Sequence, residues 1–148
     1  MKRTASAFWE GGIKDGKGKI SSESGVLKEV PYSFSKRFGE ERGTNPEELI
    51  GAAHSGCFAM AFSGELEKLK LKADSINVTA QVTIGKEGEG FSISDVHLNV
   101  NASVPSATYD QVQKAANSAK ENCPVSKLLN ANITMNLQFQ ENSYQPSM

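Results

Sequence analysis

Gly43-Thr44-Asn45-Pro46-Glu47-Glu48-Leu49-Ile50-Gly51-Ala52-Ala53-His54-Ser55-Gly56-Cys57-Phe58-Ala59-Met60-Ala61-Phe62 is the stretch whose reading decides the fold. Asn45 is placed to cap a helix, Pro46 suits the first helical position, and Glu47 and Glu48 put negative charge in the first turn. The helix is predicted from Pro46 to about Lys70, roughly 35–40 Å at the usual rise per residue. From Leu49 to Phe62 it is nearly free of charge, whereas Glu65 to Lys72 alternates charges and must meet water. A helix that is apolar all round is buried all round. Gly51, Ala52, Ala53, Ser55, Gly56, Ala59 and Ala61 let another backbone approach closely. The helix is therefore expected to be central and to pack on a second helix, its own copy in a homodimer. The alternative is a monomer whose sheets wrap it.

Working outward, Thr4 to Glu10 reads as a strand with Ala5, Ala7 and Trp9 on one face. Gly11-Gly12 and Asp15-Gly16 mark a turn, and Lys17 to Ser21 returns. Gly25 to Phe34 reads as extended, with Pro31 at an edge or boundary. Beyond the helix, Ile76, Val78, Ala80, Val82 and Ile84 alternate with polar residues, and Gly85 to Gly90 is a charged hairpin loop. The return strand, Phe91 to Val104, slips by one residue in its apolar phase near Asp95, as a β-bulge would make it. Thr108 to Asn122 is an amphipathic helix with a Thr108/Gln111 capping box and a stripe of Tyr109, Val112, Ala116 and Ala119. A short helix follows, Pro124 to Asn130. Ile133, Met135, Leu137 and Phe139 alternate in a last strand, and Gln140 to Met148 is a polar tail expected to fray. The class is α+β with mostly antiparallel sheet: N-terminal strands, a long central helix, further strands and a helix pair.

At 148 residues the chain is read as one domain, 1–148, with enough length for a core. Sixteen basic against 17 acidic side chains argue against a nucleic-acid binder built on bulk positive charge and against a polybasic membrane tether. No apolar run reaches the ~18 residues of a membrane span. Met1-Lys2-Arg3-Thr4 is followed by no apolar stretch, so no signal peptide is expected. Two cysteines are too few for a disulfide scaffold, so Cys57 and Cys123 are expected reduced, in a cytoplasm.

Taken singly, the candidate site residues leave alternatives open. Cys57 lies in mid-helix among apolar neighbours, where a thiol is usually structural and its pKa is raised, so a reactive Cys57 needs a cation nearby. Cys123 stands before Pro124, at a helix start that favours thiolate, or is an ordinary cap residue. Arginine is scarce: Arg3 is near the start, Arg42 sits in a charged loop, and Arg37 lies between aromatics in Tyr32-Ser33-Phe34-Ser35-Lys36-Arg37-Phe38. Arg37 is either a surface ion pair or the fork that a thiolate or peroxide needs. Glu47 serves the helix dipole or braces an arginine by a bidentate bridge, and Glu48 competes for either role. His54, three residues before Cys57, suits a base or a metal ligand, but with His97 as the only other histidine a closed zinc site has too few donors.

Together these residues resemble a family. Gly43 to Phe58 resembles the signature of the osmotically inducible protein C (OsmC) family, and Asn122-Cys123-Pro124-Val125-Ser126 resembles its second cysteine motif. Glu23-Ser24-Gly25-Val26-Leu27, the Arg37-Phe38 step and Phe8-Trp9-Glu10-Gly11 also fit, so the resemblance covers nearly the whole chain. It implies an intertwined homodimer and a thiol peroxidase that acts on organic hydroperoxides and less well on hydrogen peroxide, in stress defence. Cys57 matches the peroxidatic cysteine, Cys123 the resolving one, Arg37 the arginine that activates the thiolate, and Glu47 the carboxylate that holds it. The related organic hydroperoxide resistance proteins take their arginine from an earlier position, so Tyr32 to Phe38 places the chain on the OsmC side.

The resemblance further implies that a Cys57 sulfenic acid condenses with Cys123 to a disulfide, which an external dithiol, lipoyl-type or a small thiol, then reduces. No cofactor and no metal enters this reading. Two others compete: a non-catalytic binding protein for a small apolar ligand, and a metal protein using Cys57, His54 and Cys123.

Overall fold

The structure is a computed structural model that describes residues 1–141. The element order is β1 (Ala5–Glu10), β2 (Lys17–Ser22), β3 (Val30–Tyr32), α1 (Phe34–Phe38), α2 (Pro46–Lys68), β4 (Ser75–Glu87), β5 (Gly90–Ser103), α3 (Tyr109–Asn122), α4 (Pro124–Leu128) and β6 (Asn132–Gln140). The α+β class and this order, apart from α1, agree with the sequence reading. The chain divides into two compact units, one from Met1 to Leu49 and one from Ile50 onward.

In the first unit β1, β2 and β3 form the expected antiparallel meander. Gly18 sits where a Cβ would lie 2.5 Å from the Tyr32 ring and 2.6 Å from the Trp9 ring, so only glycine lets those rings come together, 5.4 Å apart. The segment read as extended to Phe34 is a strand only over Val30–Tyr32. Phe34–Phe38 then turns into a short helix, because Ser33 caps it by accepting from the Lys36 N–H.

In the second unit the sheet runs β4-β5-β6. β4 and β5 are antiparallel, joined by a two-residue turn in which Gly88 has φ +60°. The hairpin is thus tighter than the Gly85 to Gly90 loop read from composition, since the strands continue to Glu87 and from Gly90. The bulge lies where the phase slip put it: Thr83 pairs with Asp95 and Ile84 with Ile93, so Ser94 is the extra residue. β6 pairs parallel to β5, because α3 and α4 form the crossover between them.

The core lies on one face of this sheet. Val96, Leu98, Val100 and Ala102 of β5 meet Phe58, Phe62 and Leu66 of α2 and Val112, Ala115, Ala116 and Ala119 of α3. Ile76, Val78, Ala80 and Val82 of β4 and Ile133, Met135 and Leu137 of β6 pack at its flanks. The Thr108 capping box is formed, with reciprocal bonds of 3.2 and 3.0 Å to Gln111. Tyr109 leaves the apolar stripe: at the first turn its ring is half exposed, and Ala115 takes a place in the stripe.

Further differences have local causes. α2 starts as read, with Asn45 Oδ1 accepting from the Glu48 N–H at 2.8 Å. It stops at Lys68 rather than Lys70, because Lys70 adopts φ +60° and the Leu71 N–H turns back to the Leu66 carbonyl at 3.0 Å. That is a Schellman closure with lysine where glycine is the usual signal. α4 stops at Leu128 instead of Asn130, because Leu129 is extended and its N–H caps back on the Val125 carbonyl. Gln140, assigned to the tail, is the last residue of β6, and residues 142–148 of that tail lie outside the described residues.

The expectation that α2 is buried all round is not met in the single chain. His54, Phe58, Phe62 and Leu66 are fully buried at i, i+4 spacing, whereas Ala52, Ala53, Gly56 and Met60 are exposed. One chain covers one face of this helix and leaves the other bare.

Phe62→Ala should cost about 3–5 kcal/mol of unfolding free energy, because a fully buried ring leaves a cavity between α2 and β5. Denaturant titration checks this, and a loss below about 1 kcal/mol would contradict the packing.

Candidate active site

Two polar clusters stand out, one in each unit. In the first unit α1 presents Arg37 and the opening turn of α2 presents Glu47. The Arg37 guanidinium donates from Nη2 to Glu47 Oε1 at 2.6 Å and from Nε to both carboxylate oxygens at 3.0 and 3.2 Å. Glu47 is buried, and Arg37 lies over the Phe38 ring with its Cζ 5.0 Å from the centroid. The sequence offered the bridge and a first-turn dipole role for Glu47, and the structure forms the bridge. Glu48 is instead exposed, and the Thr44 hydroxyl donates to it. Arg37 also lines a cavity of about 250 Å³ with Trp9, Ile13, Tyr32, Phe34 and Phe38, an apolar cleft with one cation at its wall.

In the second unit Cys57 and Cys123 meet. Both are free thiols, Cys57 half-buried on α2 and Cys123 buried at the cap of α4. Cys57 interacts with the Cys123 side chain and with the backbone N–H of Val125. Burial pushes the Cys57 thiol pKa up, the Val125 N–H pulls it down, and the neighbouring Cys123 pushes it up again. Left to its own unit, this thiol is disfavoured as a thiolate. The sequence required a cation for that reason, and all three arginines of the chain, Arg3, Arg37 and Arg42, precede Ile50.

Cys123 is the N-cap of α4, the cap position open to it in the sequence, and the Ser126 N–H donates to its sulfur at 3.4 Å. The Ser126 hydroxyl lies 3.1 Å from the same sulfur and 2.8 Å from His54 Nε2. His54 is fully buried, and its Nδ1 has no hydrogen-bond partner among the described residues. Burial holds its pKa below the usual histidine value. His54 thus faces Ser126, although its position three residues before Cys57 made it a candidate base for that thiol. Ser126 had been given no role. Its signal was present, since it sits three residues after Cys123, where a backbone N–H reaches back to the cap. No group of three or more His, Cys, Asp or Glu side chains is placed to hold a metal among the described residues.

The family model for OsmC-like proteins matches residues 39–138, which span both cysteines and Glu47. The chain belongs to the OsmC family. Peroxiredoxin OsmC of Escherichia coli (strain K12) is 45% identical over 139 residues, 94% of this chain and 97% of that protein. Organic hydroperoxide resistance protein OhrB of Bacillus subtilis (strain 168) is 32% identical over 125 residues, 82% of this chain and 88% of that one. The crystal structure of Bacillus subtilis OhrB matches with a TM-score of 0.68 at 30% identity, over 93% of this chain and 98% of that chain. An OsmC-like protein of unknown function from Vibrio cholerae has a TM-score of 0.73 at 20% identity, over 93% of this chain and 99% of that one, and shares the fold.

His54 gives the OsmC-family chain a pH signature. Its folded pKa lies below its unfolded value of about 6.5. The stability it contributes as a neutral group is therefore complete above that pH and is lost as pH falls through the folded pKa. The melting temperature should drop between pH 7 and pH 5 more steeply for the natural protein than for His54→Gln, and parallel curves would contradict the burial of a neutral imidazole.

Proposed function

We propose that this chain is a thiol-dependent peroxidase that reduces organic hydroperoxides to alcohols, and hydrogen peroxide less efficiently. The observation that carries the reading is the contact of two free thiols, Cys57 and Cys123, brought together from α2 and the cap of α4. The names of the relatives, a peroxiredoxin and hydroperoxide resistance proteins, support it.

In this reading the Cys57 thiolate attacks the terminal peroxide oxygen, the O–O bond breaks, and the alkoxide takes a proton to leave as alcohol. The resulting Cys57 sulfenic acid is attacked by Cys123, giving a disulfide and water. An external dithiol, lipoyl-type or a small thiol, returns both sulfurs to thiols. Arg37 lowers the Cys57 pKa and orients the peroxide, and Glu47 fixes the guanidinium so that its fork points one way. An apolar cleft beside Arg37 suits the carbon chain of an organic hydroperoxide.

The unit is a homodimer. Ala52, Ala53, Gly56 and Met60 form an exposed, small-residue and apolar face on α2 that a second copy of the helix covers. The two units of each chain work as one OsmC-like domain. Thiols that cycle through reduction suit a reducing cytoplasm, with a role in oxidative and osmotic stress. No helix is long and apolar enough to cross a membrane among the described residues.

One equivalent of an organic hydroperoxide added to reduced protein should remove both free thiols and leave a Cys57–Cys123 disulfide, read by thiol titration and mass. Survival of both thiols would sink the peroxidase and favour an apolar-ligand binder built on the Arg37 cleft. Arg37→Ala should slow thiol oxidation by about a hundredfold or more, and Arg42→Ala by less than about twofold. Equal losses would refute the role of Arg37. Met60→Glu should convert a dimer to monomer in sedimentation velocity, and a monomeric natural protein would refute the dimer.

A further inference from the structure

α4 is a helix of five residues, and the one side chain it buries is polar. Ser126 is that residue, Val125 is half-buried, and Pro124, Lys127 and Leu128 are exposed. So short a helix has little apolar surface with which to hold its place on a core. Yet it carries Cys123 as its N-cap, and the candidate site needs that cap in one place.

What holds the cap is a buried polar contact. The Ser126 hydroxyl is hydrogen-bonded to His54 Nε2 at 2.8 Å, across 72 positions of sequence. Either tautomer of the imidazole can make this bond, since a hydroxyl both donates and accepts. The same hydroxyl lies 3.1 Å from Cys123 Sγ, and the Ser126 backbone N–H donates to that sulfur at 3.4 Å. Ser126 therefore reaches α2 through His54 and reaches the cap through Cys123. His54 and Cys57 are three residues apart on α2, so the helix itself fixes one relative to the other. Tying Ser126 to His54 thus sets where Cys123 stands with respect to Cys57. A hydrogen bond has a preferred length and direction, which apolar contacts lack.

We propose that His54 and Ser126 are positioning residues whose buried hydrogen bond holds the α4 cap against α2 so that Cys123 meets Cys57. The proposal rests on the peroxidase reading and concerns the closing of its disulfide. In that step the Cys123 sulfur attacks the sulfur of the Cys57 sulfenic acid. An S–S bond forms, the S–O bond breaks, and the thiol proton and the leaving hydroxide make water. The sulfenic acid is the oxidant, so no other is required. The His54–Ser126 bond and the disulfide close the same contact, α2 on α4. Order that the first supplies need not be supplied by the second, so the two thiols face each other at a higher effective concentration.

The test uses the whole chain and oxidised glutathione, with no peroxide, so it can fail or succeed apart from the peroxidase reading. Oxidised glutathione takes two electrons from Cys57 and Cys123, which join, and it leaves as two glutathione thiols. In mixtures of oxidised and reduced glutathione at equilibrium, the ratio of disulfide to dithiol protein gives the effective concentration of the pair, read by mass after acid quenching. Ser126→Ala and His54→Leu should each lower it about tenfold, the scale of one buried hydrogen bond. The double variant should fall no further than either single one, because both changes delete the same bond. His54→Gln, whose amide offers a donor and an acceptor, should stay within about threefold of the natural protein. A merely structural bond would destabilise the reduced and oxidised forms alike and leave the ratio unmoved.

An unmoved ratio in Ser126→Ala would overturn the proposal. So would a loss in Ser126→Ala without one in His54→Leu, since the hydroxyl would then act on the sulfur without His54. Should His54→Leu fail to fold, Ser126→Ala and His54→Gln decide: a His54→Gln protein as impaired as Ser126→Ala would contradict positioning through the bond. If the glutathione ratios shift as expected while a hydroperoxide leaves both thiols intact, the positioning stands and the peroxidase reading falls.

Discussion

The burial of one face of α2 against the sheet centred on β5 is the contact on which the second unit depends. Phe58, Phe62 and Leu66 follow one another at four-residue spacing, and Val96, Leu98 and Val100 stand opposite them at two-residue spacing. The match of those two periods sets the rotation of the helix. Once Phe58 and His54 point inward, Cys57 is turned to the edge of the buried face, half-covered and beside the α4 cap. The site is a consequence of how the helix lies on the sheet.

That packing sets the chemistry of the thiol unfavourably by itself. Desolvation raises the Cys57 pKa, and Cys123 raises it further. Proteins commonly answer such a demand with a fixed cation. Here the arginines lie before Ile50, and the one with a buried carboxylate partner is Arg37. A bidentate bridge to Glu47 makes its geometry rigid without neutralising its outward field completely, since part of the guanidinium stays exposed. The thiol pair and the Arg37–Glu47 bridge thus sit on separate units, each preorganised within its own.

The bare face of α2 belongs to the same logic. A helix whose residues Leu49 to Phe62 carry so little charge spends half its surface on the core of its own unit and leaves Ala52, Ala53, Gly56 and Met60 in water. Small side chains on that face cost little as exposed surface and permit a close approach of another backbone.

The amino-acid sequence determined what depends on local patterning. Alternation placed β4 and β6, the phase slip near Asp95 located the bulge, and Asn45-Pro46 and Thr108 marked helix starts, because periods, caps and bulges are written within a few residues. The family was legible in two motifs, which hold Cys57, Cys123 and Glu47, and Arg37 in the separate Arg37-Phe38 step. What depends on contacts across the chain was not. The C-terminus of α2 was hidden because Lys70 takes the backbone conformation usually left to glycine. The helix of Arg37 was hidden because five residues carry too little periodicity to outweigh the strand before them. The partner of His54 could be decided only by the tertiary structure. His54 lies three positions from Cys57 along the chain, yet its ring turns to Ser126, a residue 72 positions away, because helix rotation and the placing of α4 fix which atoms meet.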